Sequence, residues 1–182
     1  LDVLRQEQLE QDTLVIFCSD NGATKLGRNA PYSGTKGGLF EGGIRVPCVV
    51  RWPGVLPPNS VTDQPALTMD LTRSVLRAAG VPPSKLEELD GIDILRLIED
   101  KAPFRHRTLF WRQRRGTLTW RAVRDGALKY IEREDDAQRV EYLFDLQDDP
   151  QESRNLRADR PDEAARLQVL LRRWEQDVTN SQ

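Results

Sequence analysis

The apolar run Thr13-Leu14-Val15-Ile16-Phe17-Cys18, cut off at once by Ser19-Asp20-Asn21-Gly22, is the strongest constraint on the fold. It is too short for a helix of ordinary length and rich in β formers. It therefore predicts a strand buried on both faces, as in a parallel sheet. Open α/β sheets carry their ligand loops just past such strand ends. The following stretch, Gly22 to Arg45, is glycine-rich and has no apolar period. A loop of that length inside a compact domain is functional or unstructured, and glycine lets its backbone approach a ligand closely. Val46 to Trp52 then reads as a second apolar strand, closed by Pro53-Gly54.

Flanking segments complete an α/β pattern. Leu1 to Glu10 reads as the end of an amphipathic helix. Thr68 to Gly80 reads as a helix, with Thr68 or Asp70 to cap it and Gly80 and Pro82 to stop it. Ile92 to Glu99 predicts a short helix. Near Pro103 the pattern changes to four short strands, Thr108–Arg112, Thr119–Arg124, Leu128–Arg133 and Val140–Leu146. Asp125-Gly126 is a hairpin signal. The alternation of Tyr142, Phe144 and Leu146 predicts that one face of this sheet is covered. Pro161 opens a last helix whose stripe is Leu167, Leu170, Leu171, Trp174 and Val178. Two parts are expected: residues 1–102, an α/β portion, and residues 103–182, a small α+β domain of four antiparallel strands with a packing C-terminal helix.

Charge and composition exclude some functions. Among 182 residues, 27 Lys and Arg oppose 29 Asp and Glu, a net charge of −2. Nucleic-acid binding normally leaves a basic excess, so none is expected. No apolar run approaches the roughly 18 residues of a membrane span. Cys18 and Cys48 sit in apolar runs and read as small buried hydrophobes, although a disulfide stays open. Because the chain begins at Leu1, it is expected to be a piece of a longer protein.

Three places offer chemistry. Asp20 and Asn21 present a carboxylate beside an amide carbonyl, two hard oxygen donors suited to Ca²⁺ or Mg²⁺. A turn whose side chains satisfy its own backbone would use the same residues. Lys36, among Gly34, Gly37 and Gly38, can bring a compact positive charge to a tetrahedral anion, but it fits no P-loop spacing, and taken alone it reads as a solvated surface lysine. Glu41 and Arg45 are spaced to pair and brace the loop. His106, the sole histidine, lies in a basic stretch and reads as a surface or junction residue. The basic run Arg105–Arg115 and the acidic run Asp145–Glu152 read as solvated faces or salt bridges within the small domain.

The order of these features carries more than any one of them. A strand ends in S-D-N-G; then come Lys36-Gly37, Glu41-Gly42-Gly43, Arg45 and Pro47; then a strand ends in Trp52-Pro53-Gly54. This arrangement resembles the sulfatases of the alkaline phosphatase superfamily, arylsulfatases and N-acetylgalactosamine-6-sulfatase-like enzymes among them. Thr68-Met69-Asp70-Leu71, Asp90-Gly91-Ile92-Asp93, Leu143-Phe144-Asp145-Leu146, Asp149-Pro150, Glu152 and Asn155-Leu156 agree with later motifs of that family. The usual Pro-Thr of the first is replaced by Thr72-Arg73-Ser74.

The resemblance implies the C-terminal part of a sulfatase α/β domain followed by its small α+β domain. It implies that Asp20 and Asn21 are Ca²⁺ ligands and that Lys36 contacts the sulfate of an aryl sulfate or sulfated glycan. It also implies a formylglycine nucleophile made from C-x-P-S-R, or from Ser in S-x-P-x-R, and an exported or periplasmic protein. Neither motif occurs in this sequence, and the remaining metal ligands of the family precede S-D-N-G. The 182 residues by themselves are therefore expected to be inactive, with the Gly-rich loop mobile or rearranged. Two alternatives remain: a phosphonate or phosphodiester hydrolase of the same superfamily, or a non-catalytic module binding a partner or a sulfated glycan through Arg105–Arg115.

Overall fold

The expected elements form, at somewhat different lengths, and a short helix appears inside the Gly-rich stretch. A computed structural model describes residues 1–180. It contains α1 (Asp2–Gln6), β1 (Val15–Cys18), α2 (Glu41–Ile44), β2 (Cys48–Arg51), α3 (Thr68–Ala78), α4 (Ile94–Glu99), β3 (Thr108–Arg115), β4 (Leu118–Asp125), β5 (Leu128–Glu134), β6 (Arg139–Asp145) and α5 (Pro161–Asn180). The chain divides into two units: Leu1–Phe17 with Cys48–Arg105, and Cys18–Pro47 with everything from His106 on. This differs from a simple division near residue 103, because the Gly-rich stretch belongs with the C-terminal sheet.

In the first unit β1 and β2 form a two-stranded sheet. Glu10 pairs with Arg51, and the Trp52 indole N–H donates to the Gln11 carbonyl at 3.0 Å, fastening the ends. The expected burial of β1 on both faces is not seen: Phe17 is 68% exposed, and Val49 of the neighbouring β2 is 61% exposed. A strand is buried twice only where layers cover both its faces, and among the described residues this sheet has two strands. Helices α3 and α4 are joined through buried polar groups. The Asp70 carboxylate accepts from the Leu67 N–H at 2.6 Å and the Ile92 N–H at 2.8 Å. The Ser74 hydroxyl donates to the Asp70 carbonyl and accepts from the Ile94 N–H. Asp70 thus acts at the third helical position and Leu67 is the cap residue, not Thr68 or Asp70.

In the second unit β3-β4-β5-β6 form an antiparallel meander. Its register pairs Asp125 with Leu128 across a two-residue turn, where Gly126 takes φ +65°. Only glycine enters that region at little cost, which is why Asp-Gly marks the hairpin. Side chains alternate between faces. Val123, Tyr130 and Leu143 pack on Ala164, Leu167 and Leu171 of α5. Ala122, Ile131 and Phe144 face the other way, onto Leu39, with Phe40 and Ile44 beside it. Both faces are therefore covered, not one, and the second cover is the Gly-rich stretch. Leu39 is 5% exposed, and burial of such a side chain contributes about 1.5–3 kcal/mol. The cysteines, neither of them in a disulfide, depart from the expected burial: Cys18 is half-buried and Cys48 exposed.

Candidate functional site

Ser19 to Gly22 form a tight turn at the end of β1. The Ser19 hydroxyl donates to the Asn21 carbonyl at 2.9 Å. The Asn21 backbone N–H and side-chain amide both donate to Asp20 Oδ1, at 2.9 and 3.0 Å. The turn-satisfying reading of these residues is therefore realised in part. Asp20 Oδ2 and Asn21 Oδ1 accept no hydrogen bond among the described residues, and Asp20 is exposed. The two free oxygens are hard donors of the kind Ca²⁺ takes, but Ca²⁺ takes about six to eight. Among the described residues no cluster of three or more His, Cys, Asp or Glu completes a set. The donor chemistry suits a hard cation, but two donors fall short of the roughly six to eight that Ca²⁺ takes.

The short helix α2, unforeseen in the sequence, links this turn to the lysine. The Gly22 N–H donates to the Gly43 carbonyl at 2.9 Å. A Cβ on Gly22 would lie 1.8 Å from the Gly42 oxygen, so no side chain fits there. On its other side α2 takes the segment Ser33–Gly38: the Gly42 N–H donates to the Ser33 carbonyl at 2.6 Å. A Cβ on Gly43 would lie 2.3 Å from the Gly38 oxygen. The Lys36 N–H donates to the Ala23 carbonyl at 3.0 Å, two residues past Asn21. Asn29 ties the same places: its oxygen accepts from the Ala23 N–H, and its amide donates to the Ala23 and Gly34 carbonyls. A single Asn in Arg28-Asn29-Ala30-Pro31 carried no signal of this. Lys36 itself is exposed.

Below α2 lies a buried charge cluster. Lys129 of β5, 0% exposed, donates to Glu41 Oε1 and to Glu152 Oε1, each at 2.8 Å. Glu152 Oε2 accepts from the Glu41 N–H at 2.5 Å. Arg45 lies 3.6 Å from Glu41, the expected pair, and its guanidinium covers the Tyr32 ring at 4.6 Å. Burial holds the Glu152 carboxyl above its ordinary range, and the Lys129 charge opposes that shift. Burial also lowers the nearby Arg124. Lys129 and Glu152 were not identified as site residues from sequence. The available signal was that Lys129 lies two residues from Ile131 and so shares its face.

Other candidates lie elsewhere. His106 is 62% exposed, 3.3 Å from Asp125, as a surface residue would be. Asp145 pairs with Arg160 at 3.2 Å and Glu152 with Lys129, so these acids take partners outside the Arg105–Arg115 run. Asp70 and the Asp90–Asp93 segment join α3 to α4 and serve the fold.

The chain is similar to known proteins in sequence and in fold. A family model described as Sulfatase matches residues 1–81. A sulfatase of Formosa agariphila is 31% identical over 190 residues, covering 93% of this chain and 34% of that protein. The human steryl-sulfatase is 33% identical over 144 residues, covering 67% of this chain and 25% of that protein. The crystal structure of Ps i-CgsB in complex with k-i-k-neocarrahexaose matches with a TM-score of 0.83 at 23% identity, covering 95% of this chain and 38% of that one. The chain thus spans about a third or less of the length of these curated relatives.

Proposed function

This chain belongs to the sulfatase family, and from that premise we propose that it forms one side of a sulfate-ester hydrolase site. In this reading Asp20 and Asn21 hold part of the shell of a Ca²⁺ ion, and Lys36 contacts the sulfate of an aryl sulfate or sulfated glycan. The supporting observation is that Gly22, Ser33 and Lys36 are all hydrogen-bonded within one loop network, so the cation donors and the lysine ride on a common support. When bound, Ca²⁺ supplies a fixed charge beside the sulfate oxygens. The chain's own residues do the rest of this half. Lys36 places an ammonium where negative charge develops, and the glycine backbone around it admits the anion closely.

The nucleophile of this reading is a formylglycine, and its C-x-P-x-R or S-x-P-x-R motif is not among these 182 residues. Turnover therefore needs a segment beyond them. An aryl sulfate assay on the 182-residue chain with Ca²⁺ is expected to give no turnover. Clear turnover by the chain alone would refute the assignment of the nucleophile. Inorganic sulfate, titrated in Ca²⁺ and followed by amide NMR, is expected to shift Lys36 to Gly38 and to lose that effect in Lys36→Ala. Equal response in both proteins would remove Lys36 from the site.

A further inference from the structure

We propose that Lys129 and Glu152 are positioning residues for the site: their clamp on Glu41 sets the places of Asp20–Asn21 and Lys36 together. The argument starts from α2, four residues long, which touches both halves. Its Gly43 carbonyl accepts from Gly22, next to Asn21, and its Gly42 N–H holds Ser33 at the start of the lysine segment. The helix has no stable existence alone, since so short a segment does not recover the cost of nucleation. Something outside must hold it. The apolar side chains Leu39, Phe40 and Ile44 give adhesion to the sheet but little direction. Direction comes from the charges. Glu41 is fixed by its carboxylate to Lys129 and by its N–H to Glu152, two bonds from different atoms that restrain the first turn in place and rotation.

A fully buried lysine is rare unless it is paired. An apolar replacement of a buried charge cluster often costs nothing in stability, so adhesion alone does not account for the cluster. What an apolar trio lacks is directional bonding. Here that bonding sets the register of α2 against β5 and against the segment after β6. This inference rests on the cation and sulfate reading for its functional meaning, but the clamp is measurable without it.

The experiment compares the parent chain with Lys129→Met and Glu152→Gln by amide hydrogen exchange. In Lys129→Met, exchange at Gly38, Gly42 and Gly43 is expected to rise at least tenfold more than at Ala122, Val123 and Ile131. Glu152→Gln keeps one acceptor oxygen, so its rise is expected to be smaller and confined to the same loop. Loop and sheet rising together, or a loop that does not respond, overturns the clamp. If Lys129→Met does not fold, Glu152→Gln decides by the same criterion. A parallel titration with inorganic sulfate is expected to weaken at least tenfold in the variant whose loop exchanges faster. If the parent does not respond to sulfate, the sulfate reading fails while exchange still judges the clamp.

Discussion

Trp174 of α5 stacks on Phe110 of β3, ring centroids 5.2 Å apart and planes 6° apart. This closes the far end of the helix onto the edge strand, beyond the fully buried Leu167 and Leu171. Trp174→Ala removes a large apolar surface and leaves a gap under the helix. Truncation of such a residue costs about 3–5 kcal/mol when fully buried, and this partly buried one is expected at the lower end. Urea denaturation followed by circular dichroism measures it. A loss under about 1 kcal/mol would show that the stack contributes little.

Acid should weaken the β4–β5 hairpin through Asp125. Burial pushes its carboxyl up, but hydrogen bonds from Arg166 and Thr108 and the Arg166 charge outweigh that and hold it below its usual range. A depressed folded value means the stabilisation is present above the ordinary aspartate pKa and is lost as pH falls through the folded value. Asp125→Asn is therefore expected to be less stable than the parent at pH 7, with the gap closing below about pH 3–4. Denaturant midpoints at several pH values test this; a gap independent of pH would contradict it.

Asp70 is expected to be the most sensitive polar position of the first unit. Asp70→Ala leaves the half-buried N–H groups of Leu67 and Ile92 without their acceptor. Each orphaned donor costs about 1–3 kcal/mol. Thermal unfolding should show a clear fall in midpoint, larger than that of an exposed control such as Asp63→Ala.

Gly22→Ala should release the loop and spare the sheet. The added methyl group meets backbone at 1.8 Å, which a side-chain shift cannot relieve. Trypsin cleavage after Lys25, Arg28 and Lys36, all exposed, is expected to accelerate severalfold, with the far-ultraviolet spectrum nearly unchanged. Unaltered cleavage would mean that the Gly22–Gly43 bond does not hold the loop.

Much of this protein could be read from local chemistry. The apolar run at Thr13–Cys18, the Asp125-Gly126 turn and the stripe Leu167–Trp174 each act over a few residues, so period and turn preference suffice to find them. The ordered motifs from Asp20 to Pro47 marked the family and its candidate site. Tertiary structure decided what the Gly-rich stretch rests on. Alternation told which residues share a face of β5, but not that the loop would cover that face. Nor did it show that Lys129 would meet Glu41, which lies 88 positions earlier in the chain. The reason is physical: strand and turn preferences come from neighbours in the chain, whereas a buried charge becomes favourable only when its partners arrive from distant segments.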